Sequence, residues 1–394
     1  MPTQEQADFS TTWNQVAAFR LSRHHLMERA PAKALVSVLG DMTGAQAQLL
    51  SAAQLSLWSR VRGLEIAHIE DALRERAVVK AACMRQTLFL VPSEHLAVFV
   101  RGSARRAEKE IRWARGKGVP DRVIDGAIEA ALGVLDKPLT RSEIAERASQ
   151  ALGVRTRAIH GGGWGSRRKV AAVPVGELTY PVVDLLHLAA ARGVVCYGPN
   201  RGNEPTFVRA DAWIPQWQDL PGEQAEELLL RRYLRAFGPA TARDFALWTG
   251  MTLREAREIW GRQQSGFAPV EVEGWRADVL REDLEELAQA GFEAQLVRLL
   301  PYFDTFLLGH KERDHLVAVE HRPSVYRPQG WIAPVVLVNG RVIGVWEQAR
   351  EGDRLQVKVT KFEPISQYVV AGIREEAQDL SRFLGSPNVS VQID

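Results

Sequence analysis

Residues 66–91 read IAHIEDALRERAVVKAACMRQTLFLV, and this run decides the fold class. Ile66 to Glu75 has the helical rhythm of an amphipathic segment, and the β-rich run from Val78 to Val91 predicts a pair of strands. Just upstream, Ala52 to Arg62 reads as a helix, and so does Val16 to Glu28. Helices followed by a strand pair describe a winged helix.

Moving outward, the same cadence returns. Ile124 to Leu135 and Arg141 to Leu152 read as helices, with Thr140 and Glu143 forming a capping box. Tyr180 to Arg192 supplies a further helix, and Val194 to Gly198 and Pro205 to Val208 supply strands joined by a turn-rich wing, Pro199-Asn200-Arg201-Gly202-Asn203. A third group follows the linker around Pro215 to Pro221: a helix at Glu226 to Ala236, one opened by Thr241 with Asp244, and one opened by Thr252 with Glu255. After about residue 290 the chain turns to β. Asn339-Gly340 between Val335 to Val338 and Val342 to Trp346 is a type I′ hairpin signal, Leu355 to Phe362 alternates as a third strand, and Ile365 to Leu384 is a closing helix. The expected class is α+β: tandem winged-helix units over 1–122, 123–215 and 216–290, with a C-terminal β-barrel or curved β-sheet over 291–394.

At 394 residues the chain exceeds what one core organises, and 46% hydrophobic against 25% charged residues fits a well-folded globular protein. The polar start, Met1 to Gln6, lacks the features of a signal peptide, and no apolar run approaches the roughly 20 residues needed to cross a bilayer. A cytoplasmic protein without a membrane segment is expected. Cys83 and Cys196 lie in apolar strand-like surroundings without metal-ligand spacing, so both are expected in the core. The net charge of +2 says little, but Arg101, Arg105, Arg106, Lys109, Arg112, Arg115 and Lys117 cluster, as do Arg167, Arg168 and Lys169. Two such patches suit a polyanion.

The chemistry is carried by residues 43–60, TGAQAQLLSAAQLSLWSR, where two glutamines stand two apart just before a helix. If Gln46 to Gln48 is extended, both amides face one side and hold one water between neutral groups. That suits a reaction needing an oriented nucleophile more than a strong base. Gln4-Glu5-Gln6 and Gln216-Trp217-Gln218 repeat the spacing, so the tripeptide matters only through its company.

That company resembles a family. Gly44 to Gln48 with Leu55 to Arg60, Met84 to Val91, Gly163 to Ser166, Cys196 to Arg209, Phe303 to His310 and Tyr326 to Arg341 together resemble the AlkZ-type DNA glycosylases, built from tandem winged helices. The resemblance implies hydrolysis of the N-glycosidic bond of alkylated purines, with the family's Gln-aliphatic-Gln motif on Gln46 and Gln48, and a concave DNA channel. A related branch carries Asp at the second motif position. Gln48 therefore implies the branch associated with bulky adducts and interstrand crosslinks. One departure stands out: where the family reads Arg-Gly-Thr-Leu-His-Leu-Val, this chain has Gln86 and Phe89 in place of the Gly and His.

Arg85, Arg167, Arg168, Lys169 and Arg201 are the expected phosphate-binding residues, and Trp164 is a candidate for base stacking. Asp304 reads either as an electrostatic accessory near a sugar cation or as a turn or helix cap. His160 to Gly163 lacks the Gly-Lys-Ser/Thr of a phosphate loop, and His310, Asp314, His315 and His321 match no ordinary zinc spacing. Neither a metal nor a cofactor is expected, and the partner is double-stranded DNA with alkylated purines, bound by a monomer. The competing reading is a non-catalytic winged-helix DNA-binding protein, such as a regulator or damage sensor. Only the glutamine motif in its context separates the two.

Overall fold

Short-range signals in the chain become real caps. In the computed structural model the Trp13–Arg23 helix opens on a capping box, with the Gln15 amide N–H donating to Thr12 Oγ1 at 3.2 Å. The box predicted at Thr140 is also formed, and the helix start read at Thr252 with Glu255 is a box as well: the Thr140 N–H donates to Glu143 at 2.8 Å and the Thr252 N–H to Glu255 at 2.7 Å. They start the Arg141–Ala151 and Leu253–Gln263 helices. The structure describes residues 9–105, 112, 115–116, 120–151, 157–160, 169–175, 178–181, 186, 189–190, 192–202 and 204–394, with backbone only at 123, 127, 157–160, 169–175 and 178–181.

The chain divides into two compact units that are not consecutive in sequence. One is formed by Ala72–Leu229 with Thr249–Met251. In it the run that opened the sequence reading forms antiparallel strands Val78–Ala82 and Leu88–Pro92. Val78–Ala82 also pairs with Val195–Arg201, which pairs with Glu204–Arg209, which in turn pairs with the short Leu139–Thr140 strand. Ile124, Ile128, Leu135, Ile144, Leu186, Val195 and Phe207 form its buried cluster. A second antiparallel sheet joins Arg157–His160, Lys169–Val175 and Leu178–Pro181.

The other unit gathers residues up to Asp71, Leu230–Trp248 and Thr252–Asp394. Two of its buried clusters share one helix. Val16 and Phe19 of Trp13–Arg23 pack with Val270, Val272 and Val279 on a sheet of Phe9–Thr11, Phe267–Val272 and Trp275–Leu280. Leu21, at the end of the same helix, enters a cluster with Leu300, Phe306, Val335 and Leu337. Behind this second cluster lies a five-stranded sheet in the order Val297–Leu300, Val335–Val338, Arg341–Glu351, Arg354–Lys361 and Asn388–Ile393. The sheet is open, so the barrel alternative is replaced by the sheet alternative: Val297–Leu300 and Asn388–Ile393 are its two edges and do not pair. Asn339 and Gly340 make the predicted turn, both left-handed at φ 47° and 80°. The Gln367–Phe383 helix packs on Val297–Leu300 closely enough that a Cβ at Gly372 would lie 2.7 Å from Val297 Cγ2. Among the described residues no helix is long and apolar enough to cross a membrane.

Candidate active site

The glutamine motif is delivered by a strained corner. The Leu35–Asp41 helix ends with the Gly44 N–H on Leu39 O at 2.8 Å and the Thr43 N–H on Gly40 O at 3.1 Å, a paired Schellman closure. Its two left-handed residues are Thr43 at φ 60° and Gly44 at φ 85°. Glycine tolerates this freely, but a β-branched residue there costs about 1–2 kcal/mol, and such strain concentrates at functional sites.

From the corner the chain enters the two-residue strand Ala45–Gln46, then bends before the Leu50–Trp58 helix. The paired strand ends at Gln46, although Leu49 is again extended at φ -108° and ψ 119°. Ala45 and Ala47 are fully buried, Gln46 is 9% exposed and Leu49 41%, while Gln48 lies at the surface. Gln46 is thus a buried residue and Gln48 an exposed one. The following helix has no single apolar stripe: Ala52, Ala53 and every residue from Leu55 to Trp58 are buried.

The far end of that helix is held by charge. Asp304 and Arg60 are both fully buried, with Arg60 Nη2 on Asp304 Oδ1 at 2.7 Å and Nη1 on Oδ2 at 2.8 Å. Ser56 Oγ donates to Asp304 Oδ2 at 2.6 Å, and the Phe306 N–H donates to Oδ1 at 3.0 Å, capping the Thr305–Leu308 turn. Asp304 is thus a helix cap and an ion-pair partner at once. Beside it Trp58 Nε1 donates to Asp379 at 2.8 Å, and Arg29 bridges the Ser59 carbonyl, Asp379 and Glu376 at 2.8 to 3.1 Å. Burial pushes the Glu376 carboxyl up, and Arg29 and Arg298 oppose that shift. The sequence signal for this network is polar Ser56, Ser59 and Arg60 inside an apolar helical run; the carboxylate that Ser56 and Arg60 share lies 248 and 244 residues away.

In the other unit, Arg85 and Gln86 occupy the turn between Val78–Ala82 and Leu88–Pro92, at φ 57° and 61°. Gly250 fits against this turn, where a Cβ would lie 3.1 Å from Arg85 Cα. The left-handed Gln86 shows why glycine suits that position. Phe89 is fully buried, so its ring is a core element. Arg201 lies in the Val195–Arg201 strand and is engaged by Glu143 at 2.6 Å and by the Pro138 carbonyl at 3.0 Å. The Thr140 N–H first, and then Arg201, hold Glu143 down at about 2. Trp164, Arg167 and Arg168 lie outside the described residues, as does the Lys169 side chain.

The remaining chemistry-bearing groups are structural. Burial raises both thiols, Cys196 to about 12, which keeps them protonated. His310 donates to the Phe237 carbonyl at 2.9 Å, His315 accepts from Arg20 at 2.9 Å and stacks on Trp13 at 4.3 Å, and His321 stacks on Phe362 at 4.2 Å. Asp314 pairs with Arg322.

A family model described as DNA glycosylase AlkZ-like matches residues 39–383, which include both glutamines, the Arg60–Asp304 pair and the Arg85 turn. The chain therefore belongs to the AlkZ-like DNA glycosylase family, hydrolases that cut the N-glycosidic bond of a base in DNA. Among its relatives is the interstrand DNA cross-link repair glycosylase of Streptomyces sahachiroi, 32% identical over 395 residues that span 97% of this chain and 99% of that one. The solved structure of Streptomyces sahachiroi DNA glycosylase AlkZ superposes with a TM-score of 0.82 at 30% identity, covering 98% of this chain and 100% of the other.

Proposed function

We propose that this enzyme is a monofunctional glycosylase that releases cationic N7-alkylated purines from double-stranded DNA, bulky adducts and interstrand crosslinks among them. The observation that carries this reading is the placement of Gln46 and Gln48: one buried and one exposed residue, two apart, directly after a strained turn. Alkylation at N7 makes the base a cation, so it leaves as a neutral molecule and the sugar takes on oxocarbenium character. Leaving-group activation comes with the substrate. The protein has to align a water with C1′, and two neutral amides do that through positioning rather than deprotonation. Uncharged bases such as uracil are poor substrates on this account. With no lysine nucleophile involved, the product is an abasic site in an intact strand.

A crosslinked base cannot be flipped into a tight pocket, so an open channel of tandem winged helices over 1–122, 123–215 and 216–290 is the matching scaffold. Helix groups followed by hairpins, at 121–209 and 222–280, support that partition. Arg85, Arg167, Arg168, Lys169 and Arg201 hold phosphates, and Trp164 stacks on a base. The name of the Streptomyces sahachiroi relative favours crosslinks as the lesion. The enzyme works as a monomer.

The test is DNA carrying N7-methylguanine or a bulky N7 adduct, incubated with the protein and heated in alkali to reveal abasic sites. Cleavage no higher than background on every cationic adduct overturns the reading. Gln46→Ala and Gln48→Ala should each lose most of the single-turnover rate while still binding DNA, and activity should survive chelators.

A further inference from the structure

We infer that the buried Arg60–Asp304–Ser56 cluster is a positioning lock that sets the rotation and register of the Leu50–Trp58 helix, which directly follows the glutamine motif. The inference rests on the glutamine reading above. Its physical basis is the missing stripe on Leu50–Trp58. Because residues 55–58 are all buried, burial of apolar area alone does not choose one rotational setting over another. Of its nine residues only Ser51 is exposed, so the solvent-facing side that would otherwise set the rotation is narrow.

The cluster removes that freedom. Ser56 and Arg60 stand four apart, on one face of the chain's path, and both bond the same carboxylate at 2.6 to 2.8 Å. Asp304 is itself fixed, since the Phe306 N–H takes its Oδ1. Arg60 also donates to Ser56 O at 2.8 Å and Ser59 Oγ at 2.9 Å, which ties the guanidinium to the last turn of the helix.

A pair with no exposure on either side chain is a poor choice for stability alone, because desolvation offsets much of its attraction and an apolar pair of similar volume often serves as well or better. What it adds is a single allowed geometry. Gln48 stands two residues before the helix and Ser56 six residues into it, roughly 9 Å along the helical part, so the cluster acts on the motif through the helix. A rigid helix carries an error at one end to the other, and about 1 Å of misplacement costs on the order of a hundredfold in rate.

The test uses the full chain with Arg60→Met and Asp304→Leu together, Ser56→Ala alone, and Gln48→Ala in parallel. Melting temperature, DNA affinity and the single-turnover excision rate at saturating enzyme on an N7-methylguanine duplex are read for each. The double variant should melt within a few degrees of wild type and bind DNA within about twofold, yet excise some hundredfold more slowly. A folded double variant with wild-type rate overturns the lock. If that variant does not fold, Ser56→Ala decides, because it leaves the ion pair intact: a several-fold slower rate at nearly unchanged melting temperature supports the lock, and an unchanged rate overturns it. Should Gln48→Ala keep its full rate, the glutamine reading itself fails. Should Gln48→Ala lose its rate while the lock variants do not, only the present inference falls.

Discussion

Gln86 holds a left-handed backbone at φ 61° that costs a non-glycine residue about 1 kcal/mol, and its buried Oε1 has no hydrogen-bond partner among the described residues. Gln86→Gly should therefore stabilise the protein by about 0.5–1 kcal/mol, read as a higher urea midpoint, even after the extra entropy glycine gives the unfolded chain. The neighbouring departure behaves oppositely. Phe89 is fully buried, so Phe89→His places a polar ring in the core and should cost about 2–3 kcal/mol. Arg201 offers a third check. Its guanidinium is engaged by Glu143, a carboxylate that stays ionised down to about pH 2 and so competes with any phosphate. Glu143→Gln should tighten DNA binding a few-fold and steepen the salt dependence by about one unit of slope, because one more cation becomes available. The glutamines were legible at this scale because motif and context lie within about fifteen residues. Arg60 was not: its partner is 244 positions away, and nothing in a run of polar and apolar letters encodes such a pairing.

Elements whose cause is local were read correctly. The capping boxes at Thr140 and Thr252 and the Asn339-Gly340 turn all act over two to four residues, and all are present. Thr252→Ala should accordingly cost about 1 kcal/mol, seen as a lower melting temperature, since it frees the Glu255 N–H and half of a reciprocal cap. Elements whose cause is distant were misread. The first helix was expected to run to Glu28 but stops at Arg23, where His24 caps it and His25 turns left-handed at φ 53°. The Asn388–Ile393 strand, which runs parallel to Arg354–Lys361, carries no turn signal to a neighbour because its partner lies across a helix. That added edge strand, with Val297–Leu300 at the opposite edge, leaves the C-terminal sheet open.

At the scale of the molecule the buried imidazoles set the acid limit. Burial, aided by Arg60 for His24 and by Arg20 for the other two, lowers His24 and His310 well below 6.5 and His315 to about 2. All three are neutral in the folded protein at pH 7, as they are in the unfolded chain, so they contribute no pH dependence there. Below about 6.5 the unfolded chain takes up protons that the folded one refuses, and stability falls with pH until the folded-state values are reached. Each group removes about 1.4 kcal/mol per pH unit, so three remove about 4. Denaturant midpoints should change little between pH 8 and 7 and drop steeply between pH 6 and 5.

Division into two units has a further consequence, in time rather than space. Ala72–Leu229 is one unbroken stretch, whereas the unit bearing the glutamines needs its first 71 residues and its last 143. On the ribosome Arg60 appears 244 residues ahead of Asp304, and Arg29 appears 350 ahead of Asp379. At about 5–20 residues per second, the Leu50–Trp58 helix waits roughly 10–70 s for the side chains that seat it. Throughout that interval the Leu50–Trp58 segment, six of whose nine residues are buried in the folded protein, lacks the side chains that seat it.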